Sequence, residues 1–264
     1  MKYTFISCVE DNKFLEWFET LKNIPREVEI FILRNAPLKQ ETVDIVEAEG
    51  RTTMVIRERS EYVNDDIKSG IRFVKLRYDS IMITNPQPDE WISLGDDDMM
   101  FLPGYEEEYR KQILPILPHL DAFWATEYGF APMSWERARF HGVRRGFHFR
   151  YNPDIIFEYG KYVNYYGGGE DSLLALLLYE HTTKSVNIHI DNVDHPGQNT
   201  QSYFIDRDSR FDGCDQYVWW VLGNLPQFQR QNDYKDNKLR ELLFELLNRQ
   251  LIWIKPKPVK KYRH

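Results

Sequence analysis

Trp91-Ile92-Ser93-Leu94-Gly95-Asp96-Asp97-Asp98-Met99-Met100-Phe101 is an apolar, strand-like run that ends in three adjacent carboxylates and turns apolar again at once. Three packed like charges repel one another, and burying any of them is costly unless a cation or hydrogen-bond donors neutralise it. A strand that delivers such a cluster to its carboxyl end makes a seat for a hard divalent cation, which prefers oxygen ligands. A solvated acidic turn is the other reading of an isolated Asp triplet. The flanks favour the seat: Pro103-Gly104 closes the loop, and an amphipathic helix is expected from Tyr105 to Ile113.

Toward the amino terminus, Lys2 to Val9 reads as a first strand, and this places Cys8 inside it as a small buried residue. Asp11-Asn12 is expected to cap a helix with Phe14, Leu15, Trp17, Phe18 and Leu21 on its apolar face. Pro25 ends that helix, and Val28 to Leu33 forms a second strand. A βαβ opening predicts an α/β fold with a mainly parallel sheet, flanking helices and binding loops at the strands' carboxyl ends. Arg51 to Arg57 reads as a third strand. Gly70 to Arg77 reads as a short helix showing Arg72, Lys75 and Arg77 on one side, and Asp89 to Leu94 as the strand into the triplet.

Toward the carboxyl terminus, Asp121 to Glu127 predicts a strand and Trp135 to Arg150 is a basic, aromatic segment. Gly167-Gly168-Gly169-Glu170-Asp171 opens an apolar helix, Ser172 to Glu180. Ser185 to Ile190 reads as a strand, and Asp191 to Thr200 as a loop holding His195. Lys235 to Leu251 predicts an amphipathic helix whose leucine stripe suits packing. No repeat or linker is apparent, so one domain over 1–254 is expected, split into halves 1–104 and 105–254, with a basic, flexible tail over 255–264.

A chain of 264 residues can bury a substantial core, and a net charge of −7 argues against non-specific coating of nucleic acid while leaving room for a local basic patch. Two cysteines, Cys8 and Cys214, are too few for a disulfide framework, and neither a signal peptide nor a membrane-length apolar run is visible. A cytoplasmic protein is expected.

The order of parts resembles a nucleotide-sugar glycosyltransferase of the GT-A fold, a Rossmann-like architecture, especially its inverting members. Leu94-Gly95-Asp96-Asp97-Asp98 resembles the family's metal-binding DXD motif, and Phe101-Leu102-Pro103-Gly104-Tyr105 the loop that follows it. Gly167-Gly168-Gly169-Glu170-Asp171 is similar to the GGED motif at the acceptor site. The resemblance spans roughly Lys2 to His195.

It implies Mn²⁺ or Mg²⁺ as cofactor, with Asp98 as direct ligand, Asp96 nearer the ribose and Asp97 between the two roles. It implies Asp171 as the general base, with Glu170, Gly168 and Gly169 toward the acceptor. His195 is the implied third metal ligand, with His189 as its competitor. Val9, Glu10 and Asp11 would lie near the nucleobase, and Arg72 or Lys75 near the diphosphate. The second strand departs from the family pattern: it ends in Arg34-Asn35 where many relatives place an Asp, so the nucleotide is not assigned by resemblance, although a UDP-sugar is the family's commonest donor.

Two acceptor readings stand side by side. One is a glycan or other hydroxyl compound. The other is DNA carrying hydroxymethylated bases, as in phage-type glycosyltransferases. The second rests on Arg137, Arg139, Arg144, Arg145 and Arg150 interleaved with Trp135, Phe140, Phe147 and Phe149, plus His141, His148 and the basic tail. Arg144 and Arg145 are the acceptor-side cations expected under either reading. A sugar nucleotidyltransferase would need a Gly-rich, Arg-containing loop after the first strand, and Cys8-Val9-Glu10-Asp11-Asn12 is not one. A non-catalytic nucleotide-sugar or glycan binding protein would have no use for both acidic motifs.

Overall fold

The computed structural model describes residues 1–66, 71–126, 146–164, 170–181 and 184–194. Four parallel strands form its first half: β1 (Lys2–Ser7), β2 (Glu29–Arg34), β3 (Thr52–Ile56) and β4 (Trp91–Asp96). After the short β5 (Met100–Phe101) come β6 (Ala122–Thr126), β7 (Phe147–Arg150), β8 (Ser185–His189) and β9 (Val193–Asp194). Seven strands make one sheet in the order β3-β2-β1-β4-β7-β6-β8, while β5 and β9 pair separately. The antiparallel β7 sits between β4 and β6, and β6 runs parallel to β8.

Helices cover both faces, because alternate strand residues are apolar on each side. On one face α1 (Asp11–Thr20) packs Phe14, Trp17 and Phe18 against Tyr3, Phe5, Ile30 and Ile32. On the other, α3 (Phe73–Met82), α5 (Pro153–Gly160) and α6 (Glu170–His181) bury Val74, Ile81, Ile156, Tyr159, Leu174 and Leu178 against Ile92, Leu94, Trp124 and Phe147. Between β2 and β3 lies α2 (Gln40–Glu49), closed by Gly50 at φ 81°. The helix after the triplet is α-helical only over α4 (Tyr105–Glu108) and widens to a π turn over Tyr109–Ile113.

Several boundaries move from their sequence-based positions. Strand β1 stops at Ser7, so Cys8 is a half-buried loop residue and not a strand residue. The residue capping α1 is Glu10, without a side-chain bond, while the Asp11 carboxylate accepts from the Lys39 N–H (3.1 Å) and Thr42 Oγ1 (3.0 Å) at the start of α2. Helix α3 begins at Phe73 and continues to Met82, because Ile71 is taken up in a bridge to Val63. Strand β4 runs two residues later than expected, through Asp96, after a left-handed turn at Asp89 (φ 66°). The expected helix at 235–251, the basic tail and Cys214 lie outside the described residues.

The chain fills the sheet outward from β1 to β2 and β3, then returns to place β4 on the other side of β1. In such sheets the crevice at this reversal, outside the strands' carboxyl ends, is where ligands bind. Here it lies between the exits of β1 and β4, where Cys8-Val9 meets Asp96-Asp97-Asp98.

Candidate active site

Gly95 permits the triplet to sit close to the core: a Cβ there would lie 2.5 Å from the Phe5 ring and 2.9 Å from the Met99 sulfur. The three aspartates that follow have different surroundings. Asp97 is buried, and its Oδ2 accepts from the N–H groups of Cys8 (2.7 Å) and Val9 (3.0 Å), tying the exit of β1 to the exit of β4 across the crevice. Burial lifts its pKa to about 6, helped by the Asp98 charge, against the pull of those N–H donors and the Ser7 side chain. Its part in the structure is therefore to brace the crevice. Asp96 and Asp98 are half-buried on either side of it.

Asp96 Oδ1 accepts from Arg77 Nη2 at 2.6 Å, and Arg77 Nη1 donates to the Gly95 carbonyl at 3.0 Å. The Arg77 side chain has no solvent exposure. Burial alone would lower its pKa, but Asp96 first and then Glu170 more than offset this, and the net shift is upward. Glu170 opens α6 and is held to α5 by the Tyr159 hydroxyl, which donates to its backbone carbonyl at 3.1 Å. One buried guanidinium thus feels both Asp96 of the triplet and Glu170 at the start of α6. Glu170 is nearly buried and Asp171 half-buried, both in the first turn of α6, where the helix dipole favours their ionised forms.

Arg77 is the main residue that sequence reasoning passed over. It appeared only as one of three cations on a helix, and the signal that could have singled it out was its place among the apolar Val74, Leu76 and Ile81. The other two cations of this helix have these surroundings. Lys75 pairs with Asp79 at 2.5 Å and covers the Tyr62 ring, and Arg72 caps α3. Near the crevice, Val9 is buried, Glu10 is exposed, and Asp11 points to α2. A second buried cation, Arg34, donates to Ser7 Oγ (2.7 Å), the Val9 carbonyl (2.7 Å) and the Pro37 carbonyl (3.1 Å), and lies over the Phe14 ring.

The loop after the triplet is pinned from α1 and the turn behind it. Trp17 Nε1 donates to the Met99 carbonyl and Asn23 Nδ2 to the Phe101 carbonyl, at 3.0 and 2.7 Å. Strand β9 pairs antiparallel with β5, with Asp194 opposite Met100, so the chain leaves β9 two residues from Asp98 in register. His195, Gly168, Gly169, Arg144 and Arg145 lie outside the described residues. His189 ends β8 and is bonded to Asp191 Oδ1 at 2.8 Å, a structural pairing.

The oxygen-only donors Asp96 and Asp98, both half-buried and beside a carboxylate whose pKa the Asp98 charge raises, are chemically suited to Mn²⁺ or Mg²⁺. Among the described residues no three His, Cys, Asp or Glu side chains already converge as a metal site. The described end of the basic, aromatic segment is sheet. Phe147, His148 and Phe149 are core residues of β7, and Arg150 donates to the Leu117 and Leu120 carbonyls. These four residues thus drop out as a nucleic-acid surface; Trp135, Arg137, Arg139, Phe140 and His141 lie outside the described residues. Among the described residues no helix is long and apolar enough to cross a membrane.

No protein-family model and no curated protein matches the sequence. Solved structures do. TarS 1-349 of S. aureus in complex with UDP-GlcNAc aligns with a TM-score of 0.52 at 13% identity, over 95% of this chain and 73% of that one. The same protein in complex with UDP gives 0.52 at 12%, over 96% and 72%. Glucosyl-3-phosphoglycerate synthase from Mycobacterium tuberculosis, in complex with Mn²⁺, UDP and glucosyl-3-phosphoglycerate, gives 0.50 at 9%, over 88% and 81%. At such identities the likeness concerns the fold, and it agrees with the strand order and the two helical layers: the chain has the GT-A fold.

Proposed function

We propose that the protein is a metal-dependent glycosyltransferase that moves a sugar from a nucleoside-diphosphate sugar, with UDP as the nucleotide, to a hydroxyl acceptor with inversion. The observation that carries this reading is the buried Arg77, in contact with Asp96 of the triplet and under the charge of Glu170, so that one cation links a carboxylate of each acidic motif. The UDP and Mn²⁺ complexes of the structural neighbours support the choice of nucleotide and metal.

In this mechanism Asp98 and Asp96 would hold the divalent ion, with His195 as a third ligand, and the Val9–Asp11 loop would face the nucleobase. When bound, the ion neutralises charge that develops on the departing diphosphate. Asp171 accepts the proton of the acceptor hydroxyl as that oxygen forms its bond to the anomeric carbon. The bond from the anomeric carbon to the diphosphate oxygen breaks, and its electron pair leaves with the diphosphate. Glu170 and the Gly168-Gly169 backbone orient the acceptor, a glycan or other hydroxyl compound. Residues 1–104 serve the donor and 105–254 the acceptor.

A thermal-shift screen of nucleotide sugars with Mn²⁺ tests the reading, since a bound donor stabilises the fold in proportion to its saturation. Asp98→Ala is expected to abolish both the Mn²⁺-dependent shift and transfer. Asp171→Asn is expected to abolish transfer while keeping the shift. Full turnover by Asp171→Asn would remove the base assignment. A donor-induced shift with neither transfer nor hydrolysis would point to a binding protein instead.

A further inference from the structure

One of the triplet's three negative charges is already paired with a buried guanidinium group, and a second lies near another on the opposite face of the sheet. Asp96, the last residue of β4, turns toward α3, where Arg77 meets it at 2.6 Å, while Asp97, in the turn beyond the strand, bonds the Cys8 and Val9 N–H groups on the side where Arg34 lies. Arg34 reaches Asp97 through two bridges. Ser7 accepts from Arg34 at 2.7 Å and hydrogen-bonds Asp97, and Val9 donates its N–H to Asp97 (3.0 Å) while its carbonyl accepts from Arg34 (2.7 Å). Both arginines are fully buried, so neither charge is diluted by solvent.

We infer that Arg34 and Arg77 are positioning residues that hold down the resting negative potential of the aspartate triplet, so that the divalent cation binds weakly alone and is retained only together with the diphosphate of the donor. A site built for avid binding of the bare ion would leave its carboxylate charges uncompensated, because charge count is a main determinant of affinity for hard cations. Here Arg77 competes directly with the ion for an Asp96 oxygen. A diphosphate restores the balance by bringing negative charge of its own to the far side of the ion. The inference rests on the glycosyltransferase reading for the identity of that second anion, but the charge matching does not depend on it.

The test is Mn²⁺ binding to the full chain by titration calorimetry, with and without UDP. The wild type is expected to bind Mn²⁺ alone with a Kd of about 1 mM or weaker. Arg77→Gln, which removes the competing charge, is expected to tighten bare Mn²⁺ binding roughly tenfold or more, whereas Arg77→Lys keeps the charge and stays near the wild type. A merely structural role predicts the opposite sign, loss of Mn²⁺ binding in Arg77→Gln, and that result would overturn the inference. So would a tenfold gain in Arg77→Lys, or micromolar binding of bare Mn²⁺ by the wild type, a measurement that stands even if Arg77→Gln does not fold. The UDP arm separates the two proposals. If UDP leaves wild-type Mn²⁺ affinity unchanged while Arg77→Gln still tightens it, the charge matching holds and the nucleotide-sugar reading falls. If UDP strengthens wild-type binding while Arg77→Gln weakens it, the reading holds and the inference falls.

Discussion

His148 is wholly buried in β7, stacked on Phe123 with ring centroids 4.2 Å apart, and neither ring nitrogen has a hydrogen-bond partner among the described residues. Burial pushes its pKa down to about 3 from an ordinary value near 6.5. The unfolded chain therefore takes up a proton that the folded chain refuses. The contribution of this residue to stability is complete above pH 6.5 and declines as pH falls toward 3, by up to about 1.4 kcal/mol per pH unit. Replacing it by Phe is expected to flatten that part of the acid limb in a urea-unfolding series from pH 7 to pH 4. At Gly95, a methyl group would collide with Phe5 and Met99. Gly95→Ala should cost about 2 kcal/mol in the same assay, the usual range for overpacking a tight core. The sequence displayed both residues, yet nothing local distinguishes a buried, unpaired histidine from one in a basic surface segment. Its neighbours Tyr3 and Phe123 come from strands 145 and 25 positions away in the chain.

Among the elements, the helix after the triplet does more than its sequence suggests. Glu108, buried at the junction of α4 and the π turn, accepts from the N–H groups of Asp191 and Asn192 at 2.8 Å each, and from Gln112 Nε2 at 2.8 Å. The turn between β8 and β9 is thereby fastened beside β5, and Leu102 N–H adds a bond to the Asn192 carbonyl at 2.9 Å. Hydrogen bonds to a buried charge are stronger than neutral ones. Glu108→Ala is expected to destabilise the fold by about 3 kcal/mol and to accelerate amide exchange at Asp191, Asn192 and Val193. Glu108→Gln should retain one of the two bonds and show a smaller loss. If exchange at these three amides is unchanged in Glu108→Ala, the fastening lies elsewhere. The amphipathic pattern from Tyr105 onward made this helix legible; a carboxylate on its inner side was not, because its partners are 83 and 84 residues away.

For the whole molecule, the βαβ opening forecasts a mainly parallel sheet flanked by helices, and the strand order agrees. Those features are encoded locally. Alternating and periodic apolar residues select strand or helix, and a right-handed βαβ crossover leaves few ways to lay parallel strands side by side. What the chain does not announce is which charges meet. Arg34 and Asp97 are 63 positions apart, and Arg77 and Glu170 are 93 apart. Each pair comes together only because β1, β2 and β4 are neighbours and α3 packs against α6. The antiparallel β7 was likewise hidden, since its Phe-His-Phe-Arg run looks the same whether it is a surface segment or a strand wedged between β4 and β6. The sequence by itself determined the architecture and the two acidic motifs, through short-range sterics and apolar periodicity. Only the tertiary structure decided that Asp96 and Glu170 act on one buried arginine, because electrostatic pairing at long chain separation is a property of the packed sheet and not of any segment.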